Sequence, residues 1–246
     1  HYGSMEATRK LVALCRIGSG QYVLDVGCGV GATPCYLAKA AGCRVVGVDL
    51  LEKMIEQSRE RAKAEGVEDR VEFRAADARK LPFEDNLFDA VIIESVNIFF
   101  EDKREAMSEY VRVTKPGGYV GITEMTWLRP PIPEAEEYFK RVVYAEALEA
   151  SGWTELLQEA GLKEVVGSAY QIDIPLESKG RFERYGYWGI MKVMLKMLVM
   201  FFKDRRSREF LKEVTRGLSK DLFEVFEVMG YGVYAGQKGY FLSCAA

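Results

Sequence analysis

Histidine is all but absent from this 246-residue chain: the only one is His1, ahead of Met5. The stretch His1-Tyr2-Gly3-Ser4 reads as an expression remnant, with the native start at Met5. The remainder can then host no Ser-His-Asp triad, no Cys-His pair, no imidazole base and no His-ligated metal. The five cysteines, Cys15, Cys28, Cys35, Cys43 and Cys244, contain no CxxC pair. That spacing argues against a zinc site, and the odd count against a disulfide framework, so no metal and reduced thiols are expected. No signal peptide is visible, and a cytoplasmic protein is the expectation. Amides are scarce, with two Asn and five Gln, a composition that leans toward thermophilic proteins. A basic excess is missing as well: Lys+Arg number 34 and Asp+Glu 37, for a net charge of −3. No nucleic-acid partner is expected on that balance.

What is present suits a folded domain. Apolar residues make up 48% and charged residues 29%, enough to build a core. Helical spacing from Met5 to Ile17 is followed by an apolar run, Tyr22 to Val26, that stops in glycines and reads as a buried parallel strand. The alternation continues with a helix from Thr33 to Ala41, a strand from Arg44 to Asp49 and a helix from Glu52 to Glu65. Strands then read over Val71–Ala75 and Phe88–Glu94, followed by a helix over Lys103–Val113. Lys115-Pro116-Gly117-Gly118 reads as a sharp turn, and Tyr119 to Glu124 as a fifth strand. Strands alternating with helices predict a doubly wound parallel sheet.

After Glu124 the rhythm changes. Arg129 to Pro133 reads as a rigid connector, Glu134–Ala150 and Trp153–Ala160 as helices, and Val165–Ile174 as a sixth strand. Lys179 to Met229 is almost wholly helical in pattern, and Tyr231–Lys238 with Tyr240–Leu242 reads as closing strands.

The central motif is Val23-Leu24-Asp25-Val26-Gly27-Cys28-Gly29-Val30-Gly31, a strand entering a glycine turn before a helix. Such a turn brings backbone close to a ligand and offers free N–H groups. Gly27, Gly29 and Ala32 also satisfy the dinucleotide pattern GxGxxG/A, and a purely structural turn is a third reading. Asp25 discriminates, because a carboxylate at that strand end is badly placed beside a pyrophosphate and well placed beside a sulfonium or ammonium. Asp49 ends the next strand 22 residues after Gly27, where it can accept from a ribose diol or cap a helix.

With Asp25 the segment resembles the first motif, D-x-G-x-G-x-G, of the class I S-adenosylmethionine-dependent methyltransferases. Three further elements resemble that family in order: Asp77-Ala78 before Leu81-Pro82-Phe83, the strand Phe88 to Glu94, and Arg112 to Gly118 before strand five. The resemblance covers roughly Leu11 to Glu124. It implies a Rossmann-like, doubly wound, seven-stranded α/β sheet and S-adenosylmethionine as cofactor. Asp25, Gly27, Cys28, Gly29 and Glu94 would then meet the cofactor's methionine half. Asp49 would meet the ribose, Met54, Asp77 and Ala78 the adenine, and Leu50 would also touch the cofactor. Residues 5–174 and 230–246 form the expected core, and 175–229 a helical cap inserted between the sixth and last strands.

Methyl transfer from a sulfonium is a direct displacement that needs alignment more than a strong base, so a histidine-free chain can perform it. Glu94 and Glu124 are the candidates for orienting an acceptor, with Asn97 and Trp127 beside them. Within the insert, Met191, Met194, Met197 and Met200 recur every three residues near Tyr187 and Trp188. This stretch reads as a buried lid, as an apolar wall for a greasy acceptor contacted by Tyr187 and Trp188, or as a membrane-surface or homodimer contact. The expected partner is a small, partly apolar methyl acceptor. A nicotinamide-dependent oxidoreductase and a non-catalytic cofactor-binding protein are the alternatives.

Overall fold

A computed structural model describes residues 3–131, 133–140, 144–172, 191, 195 and 228–240. Helix α1 (Ser4–Leu14) precedes β1 (Tyr22–Val26), α2 (Ala32–Ala40), β2 (Arg44–Asp49), α3 (Glu52–Glu65) and β3 (Val71–Ala75). Strand β4 (Phe88–Glu94) leads through a 3-10 turn (Asn97–Phe99) to α4 (Lys103–Val113) and β5 (Thr114–Trp127). Then come α5 (Pro133–Tyr138), the two-residue β6 (Leu148–Glu149), α6 (Ala150–Glu159), β7 (Leu162–Gln171) and β8 (Met229–Lys238).

These form one sheet in the order β3-β2-β1-β4-β5-β8-β7, with β6 beside β5. The first five strands are mutually parallel, and β8 runs antiparallel between β5 and β7. The apolar strand runs are buried because helices cover both faces. Val23, Val45, Ala90, Ile92 and Val233 pack with Leu11 and Cys15 on one side. Leu24, Val46, Val91, Ile122 and Tyr234 pack with Met107, Tyr110, Trp153 and Leu157 on the other. Helix α1 lies close on β5: a side chain at Gly121 would collide with Leu11 and Cys15.

The main path of seven strands is the doubly wound sheet expected from the sequence. Two segments differ. Lys115 to Gly118 is not a turn before β5 but a bulge inside it. Thr114 already pairs with Phe88 and Tyr119 with Ala90, so the extra residues loop out while the ladder resumes. Of the helix expected over 134–150, α5 ends at Tyr138, residues 139–140 carry it on as a π turn, and 144–147 are not helical. Phe139 turns inward, edge-on to Trp127 at 5.5 Å. Ala145 and Ala147 enter the core, and Leu148 and Glu149 pair with Thr126 and Trp127. Tertiary burial overrides the local helical pattern there. The last two closing residues of the expected 240–242 strand, and nearly all of the expected 175–229 cap, lie outside the described residues; Tyr240, which is described, is not in a strand.

Candidate functional site

The turn after β1 is tied to β2. The Gly27 and Cys28 amides both donate to the Val48 carbonyl, at 2.8 and 2.9 Å. Gly27 has φ +74°, a left-handed conformation that disfavours any Cβ, and a Cβ there would also run into Val96 Cγ2. Above Gly29, by contrast, there is open space. Its amide donates to Asp49 Oδ2 at 3.0 Å, while Leu51 N donates to Asp49 Oδ1 at 3.0 Å. Asp49 is thereby oriented by two backbone donors. Each of its oxygens keeps a lone pair for another donor.

The pleat places three carboxylates on one face. Asp25 is in register with Gly47 and Ile92, and Asp49 and Glu94 lie two residues further along the neighbouring strands. They therefore line up over β2, β1 and β4 at the C-terminal edge of the sheet, where the winding direction reverses. That is where open α/β sheets bind ligands. Asp25 is buried, and its Oδ2 has no hydrogen-bond partner. Burial, followed by the nearby Glu94 and Asp49 carboxylates, pushes its acid well above the ordinary range. Glu94 accepts from Thr8 of α1 at 2.8 Å and from Thr33 of α2 at 2.7 Å. Neither threonine is conspicuous in the sequence; for Thr33, the only signal is its place in the first turn after the glycine loop.

Asp77 stands beyond β3, half-buried. It accepts from Arg79 N and Nε at 2.9 and 3.1 Å through Oδ1, and from Nη2 at 2.7 Å through Oδ2. The side-chain bonds from Arg79 lower its acid. One lone pair on Oδ2 is left over. Ala78 is buried in the core, Met54 is half-buried and Leu50 is 69% exposed. An apolar side chain that exposed, beside Asp49, leaves a surface for a flat ring to cover.

On the far side of the crevice the structure redraws the expected acceptor contacts. Asn97 is fully buried and does not line an open site: its Nδ2 donates to Glu124 Oε1 at 2.9 Å and its Oδ1 accepts from Tyr110 at 3.2 Å. Trp127 is likewise in the core, packed on Phe139. Glu124 is fully buried, and burial raises its acid to about 7. Ser95, a polar candidate after the fourth strand on sequence grounds, directly follows β4 with φ +60° and a buried hydroxyl that has no partner. A non-glycine residue held in that region at a ligand edge marks a constrained site. Tyr187 and Trp188 lie outside the described residues. Cys15, Cys28, Cys35 and Cys43 are free and buried, and burial pushes the Cys28 thiol far up, so no thiolate is available there. Among the described residues no group of three or more His, Cys, Asp or Glu could hold a metal. No described helix is long and apolar enough to cross a membrane.

Residues 24–122 match the family model described as a methyltransferase domain. An uncharacterised protein of Haemophilus influenzae is 29% identical over 212 residues, which is 85% of this chain and 84% of that protein. Methyltransferase GfsG of Streptomyces halstedii is 36% identical over 161 residues, 63% of this chain. The match spans only 57% of GfsG, less than two thirds of its length. Among solved structures, the fold is shared with Haemonchus contortus phosphoethanolamine N-methyltransferase 2 in complex with S-adenosyl-L-methionine. That likeness has a TM-score of 0.72 at 22% identity, over 96% of this chain and 53% of that one.

Proposed function

We propose, from the premise that this chain belongs by its 24–122 domain to the class I S-adenosylmethionine-dependent methyltransferases, that it methylates a small, partly apolar acceptor. The observation that carries the reading is the row Asp49, Asp25 and Glu94 over a glycine turn, with one buried Asp25 oxygen lacking a partner. A cationic ligand answers that need, whereas a pyrophosphate would add charge of the same sign.

The residues fit S-adenosylmethionine. Open space over Gly29 admits the methionine half, and a sulfonium beside Asp25 and Glu94 would offset the burial and like charge that raise the Asp25 acid, favouring its ionised form. The two spare lone pairs of Asp49 suit a ribose diol. The one left on Asp77 suits an adenine amino group, with Leu50 and Met54 available to its ring. When bound, the cofactor supplies an electrophilic methyl group. The chain holds the reacting groups in line and excludes water, and an amine, thiolate or enolate acceptor arriving deprotonated needs no further base. Thr8 and Thr33 fix the Glu94 carboxylate for this task. The phosphoethanolamine N-methyltransferase among the structural neighbours is named for a small acceptor, which supports one here. The apolar bias rests on the composition of 175–229.

Calorimetric titration with S-adenosylhomocysteine, alongside NADH and NADPH, tests the reading. Binding of S-adenosylhomocysteine alone is expected, and it opens a screen of apolar amines, thiols and quinols as acceptors. Binding of a nicotinamide instead sinks the proposal.

A further inference from the structure

Strand β5 outruns its neighbour. The last residue of β4, Glu94, pairs with Thr123, and β6 begins pairing only at Thr126. Glu124 and Met125 therefore face a gap in the sheet on that side. Their polar groups are answered without a strand. Trp153 Nε1 donates to the Met125 carbonyl at 3.1 Å, and the turn after β4 folds onto the Glu124 side chain. Glu124 Oε1 accepts three N–H groups: Val96 N at 3.1 Å, Asn97 N at 2.8 Å and Asn97 Nδ2 at 2.9 Å. Oε2 is buried with no partner. The same turn is pinned from outside, by Glu146 N on the Ile98 carbonyl at 2.8 Å and by Lys103 Nζ on the Phe100 carbonyl at 2.9 Å. Its inner edge is Val96, seated on Gly27 so closely that only glycine fits beneath.

We propose that Glu124 is a positioning residue of the cofactor site. Without touching the ligand, it draws the Ser95–Asn97 turn inward, which sets Val96 against the glycine loop and holds Ser95 in its left-handed conformation at the crevice. This rests on the reading of the crevice given above. The ionised carboxylate is the form that gathers three donors, since a charged acceptor binds N–H groups about twice as strongly as a neutral one. Burial opposes that form, and the group titrates near neutrality. Tyr110 of α4 is linked to it through Asn97, and Tyr110 in turn senses Asp77. Tyr234 of β8 is turned to Thr126, and Lys103 of α4 to Phe100 and Glu146. Among these described groups, none places a full positive charge on Glu124.

The test follows the backbone amides of Val96 and Asn97 by NMR between about pH 6 and about pH 8. S-adenosylhomocysteine is titrated calorimetrically at each pH, for the full chain and for Glu124→Gln. In the wild type both amides titrate together with a midpoint near 7. Affinity falls as pH drops below that midpoint, by at most about tenfold per unit. In Glu124→Gln the amides stop titrating, the part of the pH dependence that tracks their midpoint goes while any Asp25 contribution stays, and affinity at about pH 8 is roughly three- to tenfold weaker. Glu124→Asp, one methylene too short for both donors of Asn97, keeps a pH dependence but binds more weakly than the wild type. Wild-type amides that do not titrate, or a Glu124→Gln variant with wild-type affinity and pH profile, would overturn the inference and leave the cofactor reading standing. A wild type that binds no S-adenosylhomocysteine at any pH overturns both.

Discussion

The contact between Gly27 and Val96 can be measured by a double-mutant cycle. Gly27→Ala forces a side chain into φ +74° and drives its Cβ into Val96 Cγ2. The left-handed conformation costs about 1–2 kcal/mol, and overpacking a close contact about 1–3 kcal/mol more. The single variant should therefore lose about 2–5 kcal/mol, the sum of those two ranges. Val96→Ala alone removes two methyls from a half-buried site and should cost about 1 kcal/mol. In the double variant the clash is gone and the backbone strain stays, so the cycle should return about 1–3 kcal/mol of favourable coupling. Denaturant unfolding of the four proteins gives the stabilities, and S-adenosylhomocysteine titration shows whether the repaired contact restores the loop. Additivity within about 0.5 kcal/mol would mean that the two residues do not touch in solution.

Other outcomes follow from single contacts. Asp49→Ala should weaken S-adenosylhomocysteine binding by about 1–3 kcal/mol while leaving the fold intact, because ribose hydroxyls and the Gly29 amide lose their acceptor. Unchanged affinity in titration calorimetry would move the ribose elsewhere. Trp153→Phe strands the Met125 carbonyl in the sheet gap and should cost about 1–3 kcal/mol in thermal or denaturant unfolding. A loss no larger than that of an exposed aromatic would contradict the gap. For pH, Glu124 is raised from 4.5 to about 7, so the folded state binds its proton more tightly than the unfolded chain. Stability should then fall as pH rises from about 4.5 to about 7, by up to about 3 kcal/mol, with Asp25 acting in the same direction. Glu124→Gln should flatten that slope in unfolding curves taken across the window, and an unchanged slope would refute the assignment.

The first four strands were legible within a residue or two, because β1, β2 and β4 are apolar runs with a clear stop and β3 alternates apolar with charged residues. The glycine loop, Asp25 and Asp49 were legible for the same local reason: strand, turn and acid lie within one or two peptides of each other. What periodicity cannot register is a partner far along the chain. Asn97 looked like a site residue because it follows a strand at the ligand edge, yet Tyr110 and Glu124 consume its side chain from 13 and 27 residues away. Ala145 and Ala147 fit a helical pattern, and their burial in the core won instead. The bulge at Lys115–Gly118 kept its turn chemistry while β5 continued on both sides, a combination visible only in the pairing with β4.

The position of β8 bears on how the chain assembles as it is made. Strand β7 finds its ladder only on β8 among the described residues, and β8 lies between β7 and β5. On the ribosome β7 is complete at Gln171, while β8 begins at Met229. Until then β5 carries a long unsatisfied edge, from Tyr119 to Trp127, beside a sheet that is otherwise ready. Closing the fold means threading a late strand into a slot flanked by two early ones, a non-local step of the slow kind. During synthesis the nascent chain is therefore most exposed to mispairing in the interval between residues 172 and 228, after its ligand edge is already built.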